Sequence, residues 1–276
     1  MISENTLRDQ LTACVSEVKA TNPMAPSITN FVTIDFVANA QLAVGGSAAM
    51  VYMPDEGPQL VGSQAMYLNM GTLMPVYEQT IPATMTALHE AGTPWVVDPV
   101  GLGIGSLRTQ LLEHCKGCKP TIIRCNASEA IALANLWGLE AAAADGVRGV
   151  DSTDSVADAR AAAIALARYT GGAVAVSGEE DLVTDGETVV MVQGGSTFMP
   201  MVTGCGCSLG GVMAIYAACG DALTAALAGA IVYDLAGVDA ECDAHGPASF
   251  KVAFIDALYN ASASDIAAYP FTVEEA

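Results

Sequence analysis

The residues whose types and spacing best suit chemistry form a glycine- and cysteine-rich segment, 203–207, that precedes an apolar stretch. Glycine lets a ligand approach the backbone closely, and the first amides of a helix carry partial positive charge. Gly204, Gly206 and Cys207 could therefore surround a transferring phosphoryl group. The lysine of a P-loop is missing. Taken alone, the segment is explained about equally well as an anion-binding site and as an ordinary glycine-rich start of a helix.

Two further polar segments follow predicted strands. Asp98 ends the apolar strand 95–98, and Arg124 ends a later strand, five residues before Glu129. Ligands of parallel sheets bind beyond the carboxyl ends of the strands, so these side chains could share one crevice. Asp98 and Glu129 could hold Mg²⁺ directly or through water, and Arg124 could contact phosphate oxygens. Each residue alone is better explained by a turn or a helix cap, but the two segments together favour function.

A third group of residues interleaves polar and apolar side chains, which suits a small and partly apolar ligand. The group comprises the segment 28–33, Met50 and the segment 69–72. Core packing would explain Val32 and Met50 equally simply, and spacing alone favours that interpretation.

Strand-like and helix-like segments alternate along the chain, which predicts an α/β fold with a mostly parallel sheet covered by helices on both faces. Asp185-Gly186 is a hairpin signal, so an antiparallel edge is expected. Predicted strands or extended segments are 28–34, 48–52, 65–70, 95–98, 121–124, 173–177, 181–184 and 188–192. Predicted helices are 3–20, 35–43, 72–91 with an interruption near Pro82, 107–115, one from 127, 151–169, 207–218, 221–238 and 247–260.

Boundary signals complete the predicted organisation. The expected N-caps are Ser3, Asp35 and Asn126. The segment beyond Ser262 is polar, so weak order is expected there. Residues 1–276 contain no internal repeat, low-complexity linker or composition break, so a single domain is expected.

Composition restricts the class of protein. The chain has 10 Lys and Arg against 30 Asp and Glu, a formal charge of −20, which would repel nucleic acid and anionic membranes. With so few cations, bound phosphates must be neutralised mainly by metal ions, backbone amides and helix N-termini. No apolar run reaches the roughly 20 residues that span a bilayer, and residues 1–20 lack a secretory pattern. A cytoplasmic protein is expected.

The eight cysteines favour free thiols over a disulfide framework. Cys115 and Cys118 have CxxC spacing, but no second pair accompanies them, and His114 alone does not complete a zinc pattern. The segment is therefore predicted to be a helix end with Gly117 as its stop signal.

The order and spacing of these motifs resemble the hydroxyethylthiazole kinase family of the ribokinase-like superfamily. The matching segments span roughly residues 28 to 260. They are 28–32, Asn39, 46–50, 69–72, 98–103, 123–129, 149–152, 174–178, 202–207, 246–250 and 256–259.

The resemblance implies a ribokinase-like fold and phosphorylation of 5-(2-hydroxyethyl)-4-methylthiazole by ATP with Mg²⁺, in thiamine biosynthesis or salvage. It assigns thiazole contacts to Asn30, Val32, Met50, Gly71 and Gly204. It assigns ATP contacts to Arg124 and Ser177, and metal or phosphate handling to Asp98 and Glu129. It also implies a homotrimer with thiazole sites between subunits.

Three positions bear on the mechanism that the resemblance implies. The family usually has threonine at positions 205 and 177. Cys205 therefore lacks the hydroxyl that the family has there, whereas Ser177 retains it. Relatives in the superfamily place an aspartate base at the position of Cys207. A helix N-terminus can lower the pKa of a thiol, so Cys207 is expected to assist alcohol deprotonation weakly or only to line the site.

Three alternatives stay open. A related kinase could act on a hydroxymethylpyrimidine or a sugar, although the Asn30 and Met50 segments argue against it. A non-catalytic nucleotide- or thiazole-binding protein is disfavoured by the presence of Asp98, Arg124 and Glu129. A metal–thiolate protein is disfavoured by the scattered cysteines.

Overall fold

A computed structural model gives the structure of residues 2–139 and 156–276. Within these residues one sheet contains eight strands, and each strand pairs with its neighbours in chain order. The strands are β1 (Ser27–Ile28), β2 (Met66–Asn69), β3 (Trp95–Asp98), β4 (Ile122–Asn126), β5 (Ala173–Ser177), β6 (Glu180–Thr184), β7 (Thr188–Gln193) and β8 (Phe271–Glu275).

The sheet changes direction partway across. β1 to β5 are parallel, whereas β5 to β8 are antiparallel. The turn between β6 and β7 lies at Asp185-Gly186, where the Asp185 carboxylate accepts the Glu187 and Thr188 amides at 2.9 and 2.7 Å. The predicted α/β fold, with a mostly parallel sheet and an antiparallel hairpin at its edge, is confirmed.

Helices cover both faces of the sheet. They are α1 (Glu4–Thr21), α2 (Ile34–Ala43), α3 (Glu56–Gln59), α4 (Tyr77–Ala91), α5 (Ser106–Cys118), α6 (Ala127–Leu136), α7 (Val156–Thr170), α8 (Cys205–Ala217), α9 (Ala222–Asp243), α10 (Pro247–Asn260) and α11 (Ala263–Ala268). Successive strand residues point to opposite faces of the sheet. Tyr67 therefore packs in one core, beneath α1, α2, α8, α9 and α10. Leu68 packs in the other core, beneath α4 to α7. The central strands are buried on both faces, as parallel sheets require.

Local capping signals were sufficient to place two helices. The Ser3 hydroxyl accepts the Thr6 amide at the start of α1. Asn126 and Glu129 form a reciprocal capping box at the start of α6. Both predicted N-caps are confirmed.

Other predicted boundaries need correction. Asp35 is not an N-cap: Thr33 occupies that position, and Asp35 lies in the first turn of α2. Residues 48–52 contribute only an isolated bridge between Met50 and Ser27. Pro82 lies inside α4 without interrupting it. The predicted start of the helix at 151–153 and the matching segment 149–152 lie outside the described residues.

The predicted stop at Gly117 is also wrong. α5 continues through Gly117 to Cys118, and Lys119 with φ 47° forms the left-handed cap. Cys118 packs in the core when the helix takes this extra turn, and both CxxC cysteines are free. Burial raises the pKa of the Cys115 and Cys118 thiols, which leaves them poor nucleophiles.

The segment beyond Ser262 is ordered, contrary to prediction. Ser262 and Asp265 form a second capping box at α11, and β8 then pairs with β7. Phe271 is buried and lies under the Arg8 guanidinium, 4.4 Å from ring centroid to Cζ. The contacts of β8 and Phe271 join distant parts of the chain, so local polarity gave the wrong expectation.

One helix of the described residues, α9, is long and apolar enough to span a membrane, and most of its apolar length is buried inside the protein. It carries Asp234, which is 7% exposed and whose Oδ2 has no hydrogen-bond partner. Burial first, and the nearby Asp181 second, raise the pKa of Asp234 to about 8. The protonated carboxyl is therefore the form that the fold favours.

Asp234→Asn is expected to remove a pH-dependent loss of stability. Because the folded-state pKa lies above the unfolded value of about 4, the folded protein binds the extra proton, and stability falls as pH rises from about 4 to about 8. The amide mimics the neutral acid, so the Tm of the variant should exceed that of the wild type at about pH 8.5 and match it near pH 4. Thermal unfolding across this range would test it, and an equal Tm difference at every pH would contradict it.

Candidate active site

The carboxyl ends of the parallel strands bring the predicted polar residues to one edge of the sheet. Asn69 of β2 is in register with Asp98 of β3, and Asn126 of β4 is in register with Ser177 of β5. Helix α8 begins at the same edge, since a Cβ on Gly206 at its start would lie 2.8 Å from Arg124 Nη1. The segments separated along the sequence are therefore parts of one site.

A buried ion pair forms the centre of this edge. Asp98 is 0% exposed, and its Oδ2 lies 3.4 Å from Nη1 of Arg124. The Tyr67 hydroxyl donates to the same oxygen at 3.1 Å, and the Asn69 amide at 3.4 Å. Arg124 also donates to the Ser177 hydroxyl at 3.1 Å. The ion pair thus links the predicted metal and ATP residues.

Burial sets the direction of the pKa shift of Asp98, whereas neighbouring carboxylates set that of Arg124. Burial raises the pKa of Asp98 to about 7, against the opposing attraction of Arg124, and Glu129 adds to the rise. For Arg124, burial lowers the pKa, but the carboxylates of Asp98 and Glu129 outweigh it and the net direction is upward. Arg124 therefore stays charged, and Asp98 is ionised as the pH rises above neutrality.

The two candidate metal ligands differ in how many of their carboxylate oxygens already accept a hydrogen bond. Asp98 Oδ1 is buried and has no hydrogen-bond partner, so it fits a hard cation. Each oxygen of Glu129 accepts one backbone amide, from Asn126 at 3.0 Å and Gly101 at 3.1 Å. A carboxylate oxygen has a second lone pair, so Glu129 could still reach a cation, most simply through water. The described residues contain no cluster of three His, Cys, Asp or Glu that could hold a metal.

The start of α8 provides amide donors. Gly204 is its N-cap with φ 100°, a conformation that favours glycine. Among the described residues, the amides of Gly206 and Cys207 have no hydrogen-bond acceptor, as expected for the first turn of a helix. A Cβ on Gly206 would lie 2.8 and 2.9 Å from the Arg124 guanidinium nitrogens. The cationic side chain and the free amides therefore adjoin, which suits an anionic ligand.

The two cysteines of this turn differ. Cys207 is half-buried, and its sulfur accepts the Asn30 amide at 3.6 Å. Burial and then Asp98 raise the pKa of the Cys207 thiol, against Arg124, which is opposite to the lowering expected from the helix N-terminus alone. Cys205 is buried, and burial raises the pKa of its thiol to about 12. Cys205 therefore packs as an apolar side chain, and Cys207 is the more exposed thiol of this turn.

The predicted thiazole residues are only partly brought together. Asn30 is buried beside Cys207. A Cβ on Gly71 would lie 3.0 Å from the side-chain amide nitrogen of Asn30. Val32 is 65% exposed, and Met50 is half-buried against the core. The neighbouring Phe31 stacks on Tyr52, with 5.0 Å between ring centroids. Val32 therefore points to solvent in the single chain.

Sequence reasoning did not assign a role to Tyr67, and it included Asn69 only as part of the candidate ligand-binding segment 69–72. Both are buried polar side chains in the otherwise apolar strand β2, and both bond to Asp98. A polar residue near the end of a buried strand is the signal that could have indicated them.

A separate cavity of about 650 Å³ lies at the opposite edge of the sheet. Its lining includes Pro23, Met24 and Gln64, which precede β1 and β2, and none of the predicted site residues. Since ligands of parallel sheets bind at the carboxyl ends of strands, the ion-pair edge is the better candidate site.

The sheet and its covering helices have the ribokinase-like fold. A solved ribokinase-like superfamily protein from Enterococcus faecalis V583 shares the fold with a TM-score of 0.59 and 11% identity, covering 93% of this chain and 94% of that one. The hydroxyethylthiazole kinase structure from Pyrococcus horikoshii OT3 has a TM-score of 0.85 and 27% identity, covering 96% of this chain and 98% of that one.

Sequence comparison resolves the family within this class. The sequence model of the hydroxyethylthiazole kinase family matches residues 15–264. A hydroxyethylthiazole kinase from Bifidobacterium longum strain DJO10A is 48% identical, covering 96% of this chain and 91% of that protein. The chain belongs to the hydroxyethylthiazole kinase family.

Proposed function

We propose that this chain transfers the terminal phosphoryl group of ATP to the hydroxyl of 5-(2-hydroxyethyl)-4-methylthiazole, giving the thiazole phosphate for thiamine biosynthesis or salvage. The observation that carries the proposal is the placement of the Arg124 guanidinium against Gly206, beside the free amides of α8 and the Cys207 thiol. A cation, amide donors and a group that can accept a proton meet at one point, as phosphoryl transfer to an alcohol requires.

The mechanism relies on positioning and charge stabilisation. Arg124 binds phosphate oxygens and is itself held by Asp98 and Ser177. The amides of Gly206 and Cys207 donate to the equatorial oxygens as negative charge develops. Asn30, with Gly71 leaving room for it, lies beside Cys207, where the thiazole would bind. The alcohol approaches between Cys207 and the amides.

Mg²⁺ belongs to the proposal. Asp98 Oδ1 would hold it, with Glu129 acting through water and the phosphates completing the coordination, because Mg²⁺ keeps several waters and uses few carboxylates. The ion would neutralise phosphate charge, which an acidic chain with 10 Lys and Arg cannot do alone. A cytoplasmic location, where ATP is available, is also part of the proposal.

A substrate panel tests the choice of acceptor. With ATP and Mg²⁺, the thiazole alcohol should give a kcat/KM at least about 10²-fold above a hydroxymethylpyrimidine or a sugar, because a site built around Asn30 leaves polar groups unpaired with the wrong acceptor. A higher kcat/KM for either competitor would assign the chain to the related-kinase alternative. ATP binding with no phosphorylated product from any acceptor would support the non-catalytic alternative.

Cys207→Ala is expected to lower kcat about tenfold. This is less than the 10²–10⁴ that a general base usually contributes, because burial keeps the thiol largely protonated at neutral pH. Steady-state kinetics would measure the effect, with Cys219→Ala at the opposite edge as the control that retains kcat. An unchanged kcat would exclude the base role, and comparison with Cys207→Asp would report whether a stronger proton acceptor is tolerated there.

We also propose a homotrimer with the thiazole site between subunits. Exposed apolar side chains cluster in sequence around the thiazole segments: Phe31, Val32, Met53 and Met74. Apolar side chains beside a polar site are expected at a surface covered by a second copy of the chain.

Val32→Glu should dissociate this assembly. A carboxylate buried without a partner would oppose association, so sedimentation should give three times the chain mass of 28.2 kDa for the wild type and a smaller mass for the variant. Val252→Glu on α10, which is equally exposed but distant in sequence, is the matched control. A wild type that sediments as a monomer would refute the trimer.

A further inference from the structure

We propose that Asn69 is a positioning residue that fixes Cys207 and Asp98 relative to one another through a single saturated amide. The inference rests on the proposed kinase activity and adds to it a residue that touches neither substrate. Asn69 lies at the end of β2, between the thiol on one side and the ion pair on the other.

All four hydrogen-bonding positions of the Asn69 amide are used. Its Oδ1 accepts the Asn30 side-chain amide at 3.0 Å and the Gly71 backbone amide at 2.9 Å. Its Nδ2 donates to the Tyr67 hydroxyl at 2.8 Å and to Asp98 Oδ2 at 3.4 Å. The side chain is 0% exposed. A carboxamide offers two acceptor and two donor positions, so this one has a single allowed orientation.

On the thiol side, Asn69 acts on Cys207 directly, as a side-chain hydrogen-bond partner, and also through Asn30. The Asn30 Nδ2 has two hydrogens, and they point to Asn69 Oδ1 and to Cys207 Sγ at 3.6 Å. The amide nitrogen can only donate, so the sulfur must accept and its own hydrogen must point away from Asn30. A thiolate formed there would keep this N–H donor, and losing the donor would make the thiolate less favourable.

On the carboxylate side, Asn69 fixes the direction of the Tyr67 hydroxyl. That hydroxyl accepts from Asn69, so its hydrogen is directed to Asp98 Oδ2 at 3.1 Å. Together with Arg124, these donors occupy Oδ2 and leave Oδ1 without a partner. The same amide therefore sets which oxygen of Asp98 is free and which lone pair of Cys207 is engaged.

A purely structural role would come from the bond to the Gly71 amide, which closes a local turn. Asn69→Ser separates the two roles, because a serine hydroxyl can still accept that amide but cannot reach both Asn30 and Tyr67. Asn22→Ala is the matched control, since the Asn22 amide donates to the Gly45 carbonyl far from the site.

The deciding readout is the rate of Cys207 alkylation by iodoacetamide as a function of pH, measured by mass spectrometry on folded protein. The charged or titratable groups around Cys207 are Asp98, Arg124, Tyr67, Cys205 and Tyr233, and all are retained in the variants. In Asn69→Ser the profile should move upward by about half a pH unit or more, and kcat should fall at least about tenfold with KM changed less than about threefold. Asn30→Ala should also move the profile upward, and the double variant should shift by less than the sum of the two single shifts, because Asn69 orients the Asn30 donor.

An unchanged alkylation profile in folded Asn69→Ser, or a double variant with additive shifts, would overturn the proposal. If the serine variant does not fold, the same alkylation and kinetic measurements are made on Asn69→Ala. Alkylation needs neither ATP nor a thiazole. If the wild type had no kinase activity and Asn69→Ser still shifted the profile, the positioning role would be supported and the proposed function refuted. If the wild type were active and Asn69→Ser left the profile unchanged, the proposed function would stand and the positioning role would be refuted.

Discussion

Asp98→Asn is expected to lower kcat by about 10²–10³-fold while the protein stays folded. The buried carboxylate supplies the negative charge that holds Arg124, and its free Oδ1 is the oxygen proposed to face Mg²⁺. An amide keeps one oxygen that can still accept from Tyr67, Asn69 and Arg124, but it presents an N–H₂ group where Oδ1 was. The charge is lost and the shape is retained.

Stability should change little in the same variant. Burial raises the pKa of Asp98 to about 7, so above neutral pH the ionised form costs stability, and the neutral amide removes that cost. The opposing effect is that Arg124 loses its counter-charge. Steady-state kinetics and thermal unfolding at about pH 8 would measure both effects, with the exposed Asp9→Asn as control. Retained kcat would refute the role of Asp98, and an unfolded variant would refute the predicted balance.

Gly206→Ala should lower kcat/KM for ATP by about 10²-fold. A methyl group there would lie 2.8 and 2.9 Å from the Arg124 nitrogens, closer than real Cβ contacts, so the guanidinium must move. Its bonds to Asp98 and Ser177, at 3.4 and 3.1 Å, would then be broken or bent. Initial rates over a range of ATP concentrations would measure the loss.

A glycine in another helix separates this effect from helix propensity. Gly117 of α5 is exposed, and a Cβ there meets no atom within 4 Å. Gly117→Ala should retain activity and gain up to about 1 kcal/mol, the usual preference of a helix for alanine. Equal kinetics for Gly206→Ala and the wild type would contradict the proposed contact between Arg124 and the α8 turn.

The parts of the fold that local chemistry decides could be predicted from the sequence. Asn126 and Glu129 carry their capping box within four residues, and Asp185-Gly186 carries its hairpin. The order of the segment 271–275, by contrast, depends on the pairing of β8 with β7, which joins residues about eighty positions apart in the chain. Local polarity contains no information about that pairing.

The site could likewise be predicted only where a general rule of the fold decides the position of a residue. The alternation of strands and helices places Asp98, Arg124 and Ser177 at one edge by a general rule of parallel sheets. The direction of the Cys207 pKa shift depends on how deeply the thiol is buried and on how near Asp98 lies to it, and neither can be read from the sequence. Tyr67 is separated from Asp98 by 31 positions, so their hydrogen bond becomes visible only in three dimensions.

The central claim is that ATP is cleaved only to phosphorylate the thiazole alcohol, and a coupled ADP-release assay tests it most directly. The account predicts ADP release that requires both the hydroxyethyl thiazole and Mg²⁺, with one phosphate ester formed for each ADP. ADP release without the thiazole, or ATP binding with no thiazole-dependent ADP release, would contradict it.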